Sequence, residues 1–108
     1  MQGGRPQRTA RPPMSLEARA IALLARREYA RAELRDRLLA KGAGPADVDE
    51  VLDRLEKLGY LSDARFASVV VRRKAGSFSR RAIAHALKEK GVATPAAKDA
   101  LAALEAVD

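Results

Sequence analysis

The chain has 108 residues, enough for one compact domain or a short array of helical units and too few for two independent domains. Its hydrophobic fraction is 47% with only 4% aromatics, so the core must be built from Leu, Val, Ile and Ala, which favours helix packing over a sheet. The net charge of +7 attracts polyanions or acidic protein surfaces. The lack of cysteine excludes disulfides and thiolate metal sites, and the lack of a long apolar run excludes a membrane span, so a cytoplasmic protein is expected.

Residues 1–14 carry Arg5, Arg8 and Arg11, no acid, and Pro6, Pro12 and Pro13, and are read as a disordered basic tail. Two consecutive prolines and no amphipathic stripe argue against a transit peptide. A first helix is expected over residues 15–29, capped by Ser15, with Leu16, Ala20, Leu23 and Leu24 on one face. A second, over 30–41, turns Leu34 and Leu38 inward and stops at Gly42. The third starts at Pro45, presents Val48, Val51, Leu52, Leu55 and Leu58, and stops at Gly59.

The pattern then restarts. Ser62 caps a fourth helix with Phe66, Ala67, Val69 and Val70, Ser79 caps a fifth with Ile83 and Leu87 that ends at Gly91, and Thr94 and Pro95 open a sixth with Ala97, Ala100, Leu101 and Leu104. At an offset of 49 residues Tyr29 matches Phe78, Arg31 matches Arg80, Leu34 matches Ile83, Leu38 matches Leu87, Gly42 matches Gly91 and Leu52 matches Leu101. At 46, Leu23 matches Val69 and Arg27 matches Arg73, so three extra residues are expected as a longer loop at Ala75, Gly76 and Ser77. Apolar, basic and helix-stopping positions match together, which makes this an all-α tandem repeat of two three-helix units, residues 15–61 and 62–108.

Leu24-Ala25-Arg26-Arg27-Glu28-Tyr29, then Glu33-Leu34, Leu38 and Lys41-Gly42, resemble the first repeat of the RecX family. Gly59-Tyr60-Leu61-Ser62-Asp63-Ala64-Arg65-Phe66-Ala67 resembles that family's junction between repeats, and Arg73, Gly76, Ile83, Leu87, Lys90 and Gly91 continue in register. The resemblance implies a cofactor-free regulator with a tandem three-helix fold, and a non-enzymatic monomer is expected. It also implies binding in the groove of the RecA nucleoprotein filament, and contact with the single- or double-stranded DNA there, to limit recombination and repair reactions. RecX proteins commonly have three repeats. Two are present here, so a short or truncated member is expected.

Arg81, His85 and Lys88 stand at i, i+4 and i+7 on the fifth helix, a basic stripe opposite Ile83 and Leu87, where the first unit has Ala32, Asp36 and Leu39. A stripe on one of two near-copies points to a contact surface, although a charged stripe is commonly only a solvated helix face. Arg26, Arg72 and Lys74 at helix ends are further candidates for partner contact. Arg27 and Arg73 fall on apolar faces and are read as structural, their guanidinium groups reaching an acid such as Asp63. Asp49, Glu50, Asp53 and Glu56 are expected to make the third helix acidic and solvated outside, a face that repels nucleic acid. Tyr60 and Phe66 are expected in the core. His85 is the sole histidine and has no cysteine near it, so no zinc site is indicated, and no nucleophile elbow or phosphate loop is present. The rival readings are a helix-turn-helix DNA-binding protein and a helical adaptor. The acidic third helix and the Ala-rich sixth both lack the Arg, Asn or Gln of a base-reading helix.

Overall fold

Serine caps written in the sequence start three of the six described helices. In the computed structural model, which describes residues 14–105, Ser15, Ser62 and Ser79 each accept a hydrogen bond at 3.1 Å from the backbone N–H three residues on. The elements are α1 (Leu16–Leu24), α2 (Arg31–Ala40), α3 (Pro45–Lys57), α4 (Asp63–Lys74), α5 (Arg80–Glu89) and α6 (Thr94–Glu105). Among the described residues there is no strand. The basic tail expected over 1–14 lies, Met14 excepted, outside the described residues.

Each unit has its own core. Ala20, Leu34, Leu38, Val48, Leu52, Leu55 and Leu61 fill the first, and Phe66, Ala67, Val71, Ile83, Leu87 and Leu101 fill the second. Ala30, which belongs to the first unit by sequence, is fully buried in the second core and so ties the units together.

α1 is shorter than expected. It ends at Leu24 and not at 29, and Arg26 and Arg27 lie in the turn beyond it. Continuing the helix would carry Tyr29 past the core. The chain instead tightens, with the Arg26 N–H donating to the Leu23 carbonyl at 3.0 Å, and Tyr29 ends 3% exposed.

The register of the first helices also needs correction. The capping serines, and the wholly buried Ala20 and Ala67, stand 47 residues apart and not 46. The surplus lengthens no loop: α4 has 12 residues against 9 in α1. On α4 the residue facing the core is Val71, while Val69 is only half-buried.

Leu58 and Tyr60, both expected inside, are 60% and 50% exposed. At the end of α3 the N–H groups of Tyr60 and Leu61 both donate to the Leu55 carbonyl, and this turn delivers Leu61 to the core while Leu58 and Tyr60 face outward.

Candidate functional site

On α5 the buried side chains Ile83 and Leu87 fix the rotation of the helix, and Arg81, His85 and Lys88 are therefore all exposed. The three line one open groove between α5 and α6, whose floor is Ala84, Val92, Ala97 and Leu101. The groove holds about 540 Å³. His85 Nε2 lies 3.4 Å from Glu89 Oε2, one turn further on, and both side chains are well exposed, so this contact does not withdraw the imidazole from the surface.

Lys98, on α6, lines the same groove and was not foreseen. Its signal was in the repeat: at the offset of 49 it stands where the first unit has Asp49.

That pair of positions separates the two units chemically. In the first unit the space between α2 and α3 is closed by ion pairs, Arg35 Nε to Asp49 at 2.7 Å and Arg31 Nη1 to Asp53 at 2.8 Å and to Glu56 at 2.7 Å. The Arg35 hydrogen bond holds the Asp49 carboxyl below its ordinary range, and the same bond raises the Arg35 guanidinium. Three of the four acids on the outer face of α3, Asp49, Asp53 and Glu56, are thus solvated as expected but paired across to α2, which leaves Glu50 as the acid there without an ion pair among the described residues. In the second unit Ala84 replaces Arg35, Lys98 replaces Asp49 and Ala102 replaces Asp53, and the groove stays open with a basic rim.

The other candidates do not join this groove. Arg26 is exposed between α1 and α2, and Arg72 is exposed beside a hollow between α4 and α6. Lys74 is half-buried with its ammonium 4.6 Å from the centre of the Phe78 ring, a cation–π contact within the protein.

Arg27 is structural as expected, but its acid is Glu33, at 2.8 Å, with the guanidinium also stacked 3.7 Å over the Tyr29 ring. Asp63 has a different task. Ala30 offers α2 no capping side chain, and Asp63 accepts a hydrogen bond from the Arg31 N–H at 2.7 Å from across the unit boundary. Arg73 is exposed and makes no hydrogen bond or ion pair among the described residues, so the structural role expected for it is not seen.

The fold defines a class: an all-α tandem array of three-helix units, here with a basic-rimmed groove on the second unit. The chain belongs to the RecX family, whose first three-helix domain matches residues 18–55 and whose second matches residues 62–101. It is similar to the Regulatory protein RecX of Leptothrix cholodnii, 41% identical over 98 residues that cover 91% of this chain and 62% of that protein. The Regulatory protein RecX of Ralstonia pickettii is 42% identical over 78 residues, 72% of this chain and 49% of that one. The chain thus spans about half to three-fifths of the length of these curated relatives. The crystal structure of RecX from Lactobacillus salivarius shares the fold, with a TM-score of 0.74 over 80% of this chain and 57% of that one, at 24% identity.

Proposed function

We propose that this chain is a binding regulator, not an enzyme, that docks on the RecA nucleoprotein filament and restrains RecA activity in recombination and repair. The α5–α6 groove is its protein-facing contact. The observation that carries this reading is the contrast between units: in the first, Arg35–Asp49 and Arg31–Asp53 bridge α2 and α3, whereas in the second Ala84, Lys98 and Ala102 stand at the places of Arg35, Asp49 and Asp53, and Arg81, His85, Lys88 and Lys98 line an open groove. A basic rim over an apolar floor suits an acidic protein surface that also offers an apolar side chain. Among the described residues no helix is long and apolar enough to cross a membrane, and none of the His, Asp and Glu side chains group as a metal site.

RecA-catalysed ATP hydrolysis on single-stranded DNA tests the reading. Added protein is expected to slow hydrolysis in proportion to its amount. Arg81→Glu with Lys88→Glu is expected to raise the concentration needed by tenfold or more, while Glu50→Lys on the far unit leaves it within twofold. Unchanged hydrolysis at excess protein would remove the regulatory reading, and equal loss from both sets would remove the groove's role.

A further inference from the structure

Counted along the sequence, residues 15–61 are neutral, with nine bases against nine acids. In space the bases separate into two populations. Arg27, Arg31, Arg35 and Arg54 each hold a carboxylate, at 2.7 to 2.8 Å. Of the other five, Lys57 stands exposed at the end of α3, while Arg19, Arg26, Arg37 and Lys41 hold no carboxylate among the described residues and line one groove between α1 and α2, with Leu23 and Met14 beside them. The pairs that lock the helices consume acids and leave a concentrated positive groove on a unit whose net charge is zero.

The groove cations are also placed as a line. Arg19 and Arg26 stand about two turns apart along one wall and Arg37 and Lys41 about one turn apart along the other. Three of the four are arginines, whose planar forks take two phosphate oxygens at once. Arg19 adds an independent sign of a missing partner: its Nε is shielded from solvent and has no hydrogen-bond acceptor. Buried donors are ordinarily paired, and an acceptor oxygen in the groove would satisfy this one. Arg37 makes one polar contact, donating to the Tyr29 hydroxyl at 3.2 Å, which steadies its guanidinium without neutralising it. Met14 lies at the edge of the groove.

We infer that the α1–α2 groove binds the phosphodiester backbone of a nucleic-acid strand through Arg19, Arg26, Arg37 and Lys41, independently of the α5–α6 groove. The ligand is a strand and not an acidic peptide because the cations are spread along both walls. A polymer with a charge at every repeat meets such a line in any register, whereas a peptide must match it residue by residue. The contact carries no base specificity, since no Asn or Gln side chain and no edge-reading helix lines the groove.

Fluorescence anisotropy of a labelled 20-nucleotide oligo(dT) with the full chain, without RecA, tests this apart from the regulatory reading. Arg26→Glu with Lys41→Glu changes exposed side chains and is expected to raise Kd at least tenfold at 100 mM salt. It should also flatten the plot of log affinity against log salt by about 1.4, the share of two single-strand phosphate contacts. Arg81→Glu with Lys88→Glu, the same change in charge, is expected to leave Kd within twofold. Arg26→Gln with Lys41→Gln, which adds no acid, repeats the loss in weaker form and is read if the Glu pair fails to fold. Equal losses from the two double reversals would show only a net-charge effect. Competition by a 20-residue poly-Glu peptide as strong as that by unlabelled oligo(dT) would make the groove a protein site, and absence of oligo(dT) binding at 50 mM salt would end the proposal. Loss of filament regulation with intact oligonucleotide binding would instead fault the α5–α6 reading alone.

Discussion

A β-carbon added at Gly91 would fall 2.7 Å from the Ala32 β-carbon, nearer than side chains approach, and Gly91 also has φ of +82°. Gly42, its counterpart one repeat earlier, has φ of +96° and open space around the same position. Substituting alanine at both places therefore separates two effects. Gly42→Ala is expected to cost about 1 kcal/mol, the strain of the left-handed backbone. Gly91→Ala is expected to cost roughly 1–3 kcal/mol more, because it also overpacks the contact between units. Urea midpoints of the two variants check this, and equal midpoints would mean that the approach of Gly91 to Ala32 is not tight in solution. Both glycines are readable in the sequence as helix stops. Nothing local marks Gly91 as the one that also touches the neighbouring unit.

Among the elements, α3 and α6 occupy equivalent places but are unequally anchored. α3 buries Val48, Val51, Leu52 and Leu55 and is tied to α2 by Arg31 and Arg35, whereas α6 buries Ala97, Ala100 and Leu101 and has lost the acids at the positions matching Asp49 and Asp53. Each Val-to-Ala difference forgoes about two methylene equivalents, near 0.8 kcal/mol apiece. Amide hydrogen exchange is expected to show protection in α6 at least tenfold below that in α3. Equal protection would mean that packing of α6 against α4 compensates for its small side chains. The apolar content of the two helices was legible from the sequence, and the expected order of stability follows from it. The ion pairs were not legible, because i, i+4 reasoning looks along one helix and these pairs cross between two.

At the scale of the molecule, the two units are held by a small polar joint around one buried alanine. Arg65 Nε reaches Glu28 at 2.6 Å, Lys90 Nζ reaches Glu33 at 3.3 Å, Asp63 caps α2, and Ala30 sits in the second core. Burial pushes the Glu33 carboxyl up, but the hydrogen bond from Arg27, with the charges of Arg27 and Lys90, outweighs it and holds the group below its ordinary 4.5. A carboxyl lowered by folding stabilises the folded state fully above its unfolded value and loses that contribution as pH falls through the folded one. Stability is therefore expected to be flat in this respect above about pH 5 and to decline below 4.5. Glu33→Gln should remove about 1 kcal/mol at pH 7, a modest figure because the partner cations are half exposed, and should make the acid decline shallower. Chemical denaturation between pH 3 and 7 measures both, and an unchanged acid limb in the variant would remove Glu33 from the joint.

The sequence by itself determined the order of the six helices, the caps at Ser15, Ser62 and Ser79, and the main side chains of the two cores, because these follow from short-range hydrogen bonding and from apolar periodicity along one chain; the end of α1, the outward turn of Leu58 and Tyr60 and the place of Ala30 it did not. It also determined the family, and the exposed stripe of Arg81, His85 and Lys88, since a helix rotation fixed by Ile83 and Leu87 leaves those residues outside. What only the tertiary structure decided was the fate of each charge. Asp49, Asp53 and Glu56 became partners of Arg31 and Arg35, Asp63 became a cap for α2, and Arg19, Arg26, Arg37 and Lys41 were left together between α1 and α2. Counting along the chain sums charges, whereas an electrostatic site depends on which of them folding brings within about 4 Å of an opposite charge and which it does not.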